Sequence, residues 1–186
     1  MSTATSASVS IAPPLPASLA TCLAERSLGD PIEATVLAGG IINLTRRIRT
    51  SRGASLVVKQ CRSAPHDFFP CEAEGLAALH IPDGWRVPDV LHVDHECLIL
   101  EDLGEGHERS ADYWEVLARS WAGLHQRRAS RFGYQVDNYY GVILQDNQWR
   151  EDGYAFSLPH LLGMIEHACD LDEVVPWTRR LLARFA

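Results

Sequence analysis

Lysine is almost absent from this chain of 186 residues: of its seventeen lysines and arginines, sixteen are arginine and only Lys59 is lysine. Long apolar runs are missing too, and nothing approaches the ~20 consecutive residues that a membrane-spanning helix requires. Positive charge is scarce and scattered. A net charge of −7 excludes a surface built for nucleic acid or anionic lipid, both of which need clustered cations. The five cysteines (Cys22, Cys61, Cys71, Cys97 and Cys169) are odd in number and form no Cys-x-x-Cys pair. A disulfide framework or zinc ribbon is thereby excluded, and reduced thiols in a cytoplasmic protein are expected. Residues 1–16 carry no basic residue and no sustained apolar stretch, so they do not read as a signal peptide; small polar residues and Pro13, Pro14 and Pro16 predict a disordered tail. Internal repeats, a Gly-x-Ser-x-Gly elbow, a His-Glu-x-x-His pair and a full Walker A loop are all lacking.

What remains is a globular composition, 46% hydrophobic and 22% charged, long enough for one domain or for one and part of a second. Between Ala17 and Leu28 the positions Leu19, Cys22 and Leu23 recur at helical spacing, and Gly29-Asp30-Pro31 closes that run. The period then changes. Ile32–Ala38, Ile41–Thr50 and Ser55–Cys61 are rich in β-branched residues and are separated by Gly39-Gly40 and Ser51-Arg52-Gly53, which predicts three antiparallel strands. Phe68, Phe69, Glu72, Leu76 and Leu79 predict a helix, with Pro70 in its first turn. Two further strands are expected over Asp89–Val93 and Glu96–Leu103, turning at Asp94-His95, and Gly104-Glu105-Gly106 reads as a hinge. Helical stripes follow at Trp114, Leu117, Ala118, Trp121, Leu124 and His125, and at Trp177, Leu181, Leu182 and Phe185. The intervening Phe132–Arg150 is aperiodic and reads as a long irregular loop. An antiparallel five-stranded sheet with one inserted helix, hinged to a helical region, is the α+β layout of the protein-kinase-like fold. The expected organisation is a tail over 1–16, an N-lobe over 17–103, a hinge at 104–106 and the first part of a helical C-lobe over 107–186.

Lys59 ends the apolar strand Leu56-Val57-Val58-Lys59, and alternation places it on the face of Val57. A kinase needs a compact, strongly hydrated ammonium at that point to meet phosphate, a role arginine fills less well. A lysine that merely guards an edge strand is the competing explanation; the near-exclusive use of arginine elsewhere favours phosphate. Glu72, in the first turns of the inserted helix, is the expected partner that holds the ammonium. Glu74 competes for that role from a helix face about 200° away. Gly39 and Gly40 lie in the hairpin two strands ahead of Lys59, where backbone N–H groups can approach phosphates, though the full Gly-x-Gly-x-x-Gly pattern is missing. Backbone groups of Glu101 and Leu103 are positioned for the edge of an adenine. His92 and His95 flank Asp94, but the spacing offers no third ligand, so no metal site is expected.

The segments LAGGIINLTRRIRT, SLVVKQC, FFPCEAEGLAALH, VPDV and LILEDL resemble the N-lobe of the fructosamine (ketosamine) 3-kinases. The run SWAGLHQRRASRFGYQVDNYYGVILQDNQWREDGYAF is similar to that family's distinctive stretch: Leu-His, Phe-Gly, Asp137-Asn138, then Gln145-x-Asn147-x-Trp149. The likeness spans roughly Val36 to Ala168, and the Gln145/Asn147/Trp149 element distinguishes this branch from the aminoglycoside phosphotransferases. It implies ATP and Mg²⁺ as cofactors and phosphorylation of a sugar hydroxyl on a glycated amine. It also implies phosphate binding by Lys59, orientation by Glu72, a nucleotide-covering turn at Gly39 and Gly40, Asn43 as the asparagine after that turn, and Phe69 as the aromatic ahead of the helix glutamate.

Two departures stand out. Gly153 replaces the family's tryptophan after the acidic pair and is expected to loosen that segment. No histidine is followed by Gly-Asp, and no Asp-Pro-Ala occurs, so the family's catalytic and metal motifs are absent. The chain reads as cut short before the residues that place nucleophile and metal, and is expected to be inactive alone and prone to self-association through exposed apolar stripes. A non-catalytic nucleotide-binding or regulatory module, or a kinase for another alcohol such as an aminoglycoside or choline-like amine, is the alternative on the same lobe.

Overall fold

The computed structural model describes residues 13–38, 42–61, 63–82, 84–106 and 109–168. The predicted tail falls largely outside these residues, as do Gly39, Gly40, Cys169 and the stripe from Trp177 to Phe185.

Five strands form one sheet: β1 (Pro31–Val36), β2 (Leu44–Thr50), β3 (Ser55–Gln60), β4 (Val90–Val93) and β5 (Cys97–Glu101). Their spatial order is β1-β2-β3-β5-β4, and each neighbouring pair is antiparallel. The sheet is sandwiched. On one face Ile48, Leu56, Val58, Cys97 and Ile99 pack against Leu19, Cys22 and Leu23 of α1 (Ala17–Glu25). On the other, Leu98, Leu100 and Val57 pack against Phe68 and Phe69 of α2 (Phe68–Ala78). Period-two alternation along β3 therefore feeds both cores. Central β5 is buried on both faces and reads as an unbroken apolar run, Cys-Leu-Ile-Leu. Edge strand β1 is exposed throughout and carries Pro31 and Glu33.

Helix α1 stops three residues earlier than its pattern predicts. Ser27 takes a positive φ of 53°, the Ser27 N–H bonds to the carbonyl of Ala24, and the Leu28 N–H reaches that of Leu23. This double bond pattern around a left-handed residue ends a helix and directs the chain toward β1. Pro70 lies in the first turn of α2, where no intrahelical donor is lost. Strand β2 begins at Leu44 rather than Ile41.

The second half departs more. Helix α3 (Tyr113–His125) forms as the spacing predicts, yet Trp114 and Trp121 are 62% and 58% exposed. The Phe132–Arg150 segment is a built structure rather than an irregular loop. Strands β6 (Asn138–Tyr140) and β7 (Ile143–Gln145) make a hairpin, and Phe132 pairs with Arg150 at its base. Three-residue strands are too short to show a period. Helix α4 (Gly153–Ala168) is likewise hidden in the sequence, because Gly153, Pro159 and Gly163 all disfavour a helix. Its start is nonetheless marked: the Asp152 carboxylate accepts the Ala155 N–H at 2.8 Å.

Candidate functional site

Lys59 and Glu72 meet. Their side chains form an ion pair between β3 and α2, each about a quarter exposed. The choice of Glu72 over Glu74 follows from how α2 sits. Phe69 is fully buried against the sheet, and a residue three positions later lies on the same side of a helix. Glu72 is therefore aimed at the sheet. Lys59 in turn lies between Thr45 of β2 and Leu98 of β5, on the face that Val57 shares with the α2 core.

Asn43, just past the expected glycine turn, shares a cavity of about 320 Å³ with Ile42, Phe68, Cys71, Glu72 and Asn138. The side-chain oxygens of Asn43 and Asn138 are buried there without a hydrogen-bond partner. The fold thus brings Asn43, Lys59 and Glu72 to one place, with Asn138 from the later hairpin beside them. Gly39 and Gly40 lie outside the described residues.

At the far end of β5, Leu103 is 43% exposed. The Glu101 N–H is engaged by the carbonyl of Asp89 at 2.9 Å, and its carboxylate pairs with Arg86. Between them sits a residue that the sequence reading missed. Asp102 is almost wholly buried and holds Arg47, with Nε at 2.7 Å from Oδ2. It also accepts from the Ser55 hydroxyl at 2.6 Å and the Gly104 N–H at 3.0 Å. Burial alone would raise the Asp102 carboxyl, but the bonds from Ser55, Arg47 and Gly104 outweigh it and hold the group below its ordinary value. The hydrogen bond to Asp102 raises Arg47 correspondingly. Nothing in the spacing of Arg47 and Asp102 signals this pair; strand register creates it.

The Asp137, Asn138, Gln145, Asn147 and Trp149 group is largely scaffolding. Asn147 is buried, its N–H reaches the Asp137 carboxylate at 2.8 Å, and its amide donates to the Val136 carbonyl at 3.1 Å. Asn138 pairs with Gln145 across the hairpin. A side chain at Gly133 would come within 2.8 Å of the Trp149 Cα, so the Phe-Gly pair is a steric requirement of this turn. The hairpin docks on α2: the Tyr139 ring packs at a tilt against Phe68, and the Cys71 thiol donates to the Asp137 carbonyl at 3.3 Å. Gly153 is not a loose point, since the Phe132 ring lies 3.1 Å from where its Cβ would be.

His92 and Asp94 do acquire a third neighbour, contrary to the spacing argument. Cys97 joins them, and one ligand-type atom from each lies within 4.8 Å of the others. His95 does not join; its ring stacks on His66. The three groups already satisfy one another and the backbone. Asp94 accepts from the Glu96 and Cys97 amides at 2.7 and 2.8 Å and lies 2.9 Å from His92 Nε2, while the Cys97 thiol sits 3.2 Å from the Ser18 hydroxyl. This arrangement closes the β4–β5 turn.

A fructosamine kinase family model matches residues 19–179. The chain is 31% identical over 124 residues to a probable ketoamine kinase of Enterococcus faecium, covering 64% of this chain and 42% of that protein. It is 33% identical over 134 residues to a chloroplastic protein-ribulosamine 3-kinase of Arabidopsis thaliana, covering 68% and 40%. A crystal structure from Haemophilus somnus 129PT, assigned as a fructosamine-3-kinase, superposes with a TM-score of 0.65 at 25% identity, covering 74% of this chain and 48% of that one. The chain thus spans about two fifths of the length of these two curated relatives. Among the described residues, no helix is long and apolar enough to cross a membrane.

Proposed function

Because the chain belongs to the fructosamine kinase family, we propose that it supplies the nucleotide-binding part of an ATP-dependent kinase that phosphorylates a sugar hydroxyl on a glycated amine. The Lys59–Glu72 ion pair carries this reading. The chain's one lysine sits beneath the sheet at the point where a carboxylate from the inserted helix fixes it. A fixed ammonium is suited to bridging the α- and β-phosphates of ATP. Neither residue is fully buried, so a charged ligand can reach the pair.

In this proposal residues 17–103 form the nucleotide lobe, 104–106 the hinge, and 107–186 belong to a helical lobe. Asn43 approaches the phosphates, and backbone groups between Glu101 and Leu103 meet the base. Mg²⁺ would screen phosphate charge during transfer, but the family's metal motifs are not among these 186 residues. The chain's own share of the work is to bind and orient the nucleotide. The acceptor is a small glycated amine, not a nucleic acid. Four described cysteines are all free thiols, which supports a place in the reducing cytoplasm.

Isothermal titration with ATP tests the assignment. We expect binding that Lys59→Ala weakens tenfold or more; wild-type chain that binds ATP no better than the variant would overturn it. With a glycated amine added, the 186-residue chain is expected to show no phosphoryl transfer. Turnover that disappears in Lys59→Ala would refute the restriction to binding.

A further inference from the structure

We propose that Arg47 covers the nucleobase, a specificity-determining contact that rests on the nucleotide-site reading above. Directly paired residues of antiparallel strands point to the same face of a sheet. Thr45 pairs with Lys59, and Arg47 with Val57. Arg47 therefore shares the face of Lys59, one pleat repeat nearer the hinge. The direction is fixed by β5, in which Leu98 lies opposite Lys59 and Glu101 opposite Leu56. A nucleotide with phosphates at Lys59 and its base edge at residues 101–103 has to lie along this stretch, past Val57 and under Arg47.

The guanidinium is held at its two terminal nitrogens. Nη2 donates to Asp102 Oδ1 at 3.2 Å and Nη1 donates to Glu105 at 3.0 Å, while Nε, 2.7 Å from Asp102 Oδ2, makes no hydrogen bond. Both terminal nitrogens are thus anchored by carboxylates, one of them nearly buried, which fixes the guanidinium plane. A guanidinium fixed in this way has a flat face that attracts an aromatic ring. A buried ion pair is a poor device for stability alone; fixing a plane over a ring gives this one a purpose. An open cavity of about 490 Å³, within the size range of small-ligand sites, lies at the hinge-side end of this path, and Arg47, Arg49, Thr50, Ser55, Asp102 and Glu105 are among the residues that line it.

The test compares ATP with inorganic tripolyphosphate, which has the phosphates but no base, by calorimetric titration of the whole 186-residue chain. Arg47→Ala should weaken ATP about threefold to tenfold and leave tripolyphosphate unchanged. Arg47→Lys keeps the charge and a partner for Asp102 but not the plane, and should lose ATP affinity in the same way; it also serves if the alanine variant does not fold. Lys59→Ala should weaken both ligands. If Lys59→Ala loses ATP while both Arg47 variants bind it as well as wild type or better, the nucleotide site stands and Arg47 is not its cover. Equal loss of both ligands in the Arg47 variants would also overturn the proposal. A wild-type chain that binds neither ligand would overturn the nucleotide site itself, and this proposal with it.

Discussion

Tyr139, on the hairpin of the second half, donates its hydroxyl to the carboxylate of Asp67 at 2.7 Å, at the residue that precedes α2. Asp67 makes no capping bond with its own helix, so its carboxylate serves this tertiary tie instead. The same tyrosine ring packs 5.4 Å from Phe68. The hairpin thereby fastens the helix that presents Glu72 to Lys59. Tyr139→Phe should cost about 1 kcal/mol of unfolding free energy, and Tyr139→Ala clearly more because the ring packing goes as well. Urea unfolding of the two variants checks this order. A phenylalanine variant as unstable as the alanine one would show that the hydroxyl, not the ring, dominates.

Glu72→Gln separates binding from folding. The Lys59–Glu72 pair is partly exposed, and such pairs contribute about 0–1 kcal/mol to stability. The variant should melt close to wild type yet bind ATP severalfold more weakly, since the ammonium loses the carboxylate that fixes it. Glu74→Gln, made in parallel, should change neither. A Glu74 effect equal to that of Glu72 would contradict the orientation of α2 derived from Phe69.

That orientation also shows how far the sequence could lead. Lys59 was legible because residue type and period-two alternation both singled it out. Choosing Glu72 over Glu74 needed the rotation of α2 about its axis, which the burial of Phe69 sets. The five strands and three of the helices follow from local periodicity. Strands β6 and β7 are too short to carry a period, and α4 hides behind Gly153, Pro159 and Gly163, its one local sign being the Asp152 cap. Arg47 with Asp102, and Cys97 beside His92 and Asp94, exist only through strand pairing between distant or turn-separated residues. The Gln145/Asn147/Trp149 motif was recognisable as a pattern. Its work as a frame for the hairpin, with Asn147 buried and bonded to Asp137 and Val136, became visible only in three dimensions.

Phe69→Ala should be the most damaging single change in the site's surroundings. The side chain is fully buried among Phe68, Leu98 and Leu100, and removing such a ring costs about 3–5 kcal/mol. Because the same ring sets the rotation of α2, nucleotide affinity should fall in whatever fraction remains folded. Chemical denaturation gives the first quantity and titration at low temperature the second. Stability within about 1 kcal/mol of wild type would show that the second core is far looser than its burial implies.

Acid sensitivity should trace to the β4–β5 turn. Burial works to raise the Asp94 carboxyl, but hydrogen bonds from His92, from the amides of Cys97 and Glu96, and from Ser18 overcome it and bring the group down from 3.8 to about 2. A carboxyl lowered by folding stabilises the native state fully above its unfolded value, and that contribution is lost as pH falls from 3.8 through about 2. After allowance for solvent screening at this part-exposed position, it amounts to about 1–2 kcal/mol. Asp94→Asn should therefore be less stable than wild type by that amount near neutral pH, and the gap should close as pH falls toward about 2. Equilibrium unfolding at neutral and acid pH measures both ends. An asparagine variant that matches wild type near neutrality would mean that the amide bonds alone hold the turn and that the charge contributes nothing.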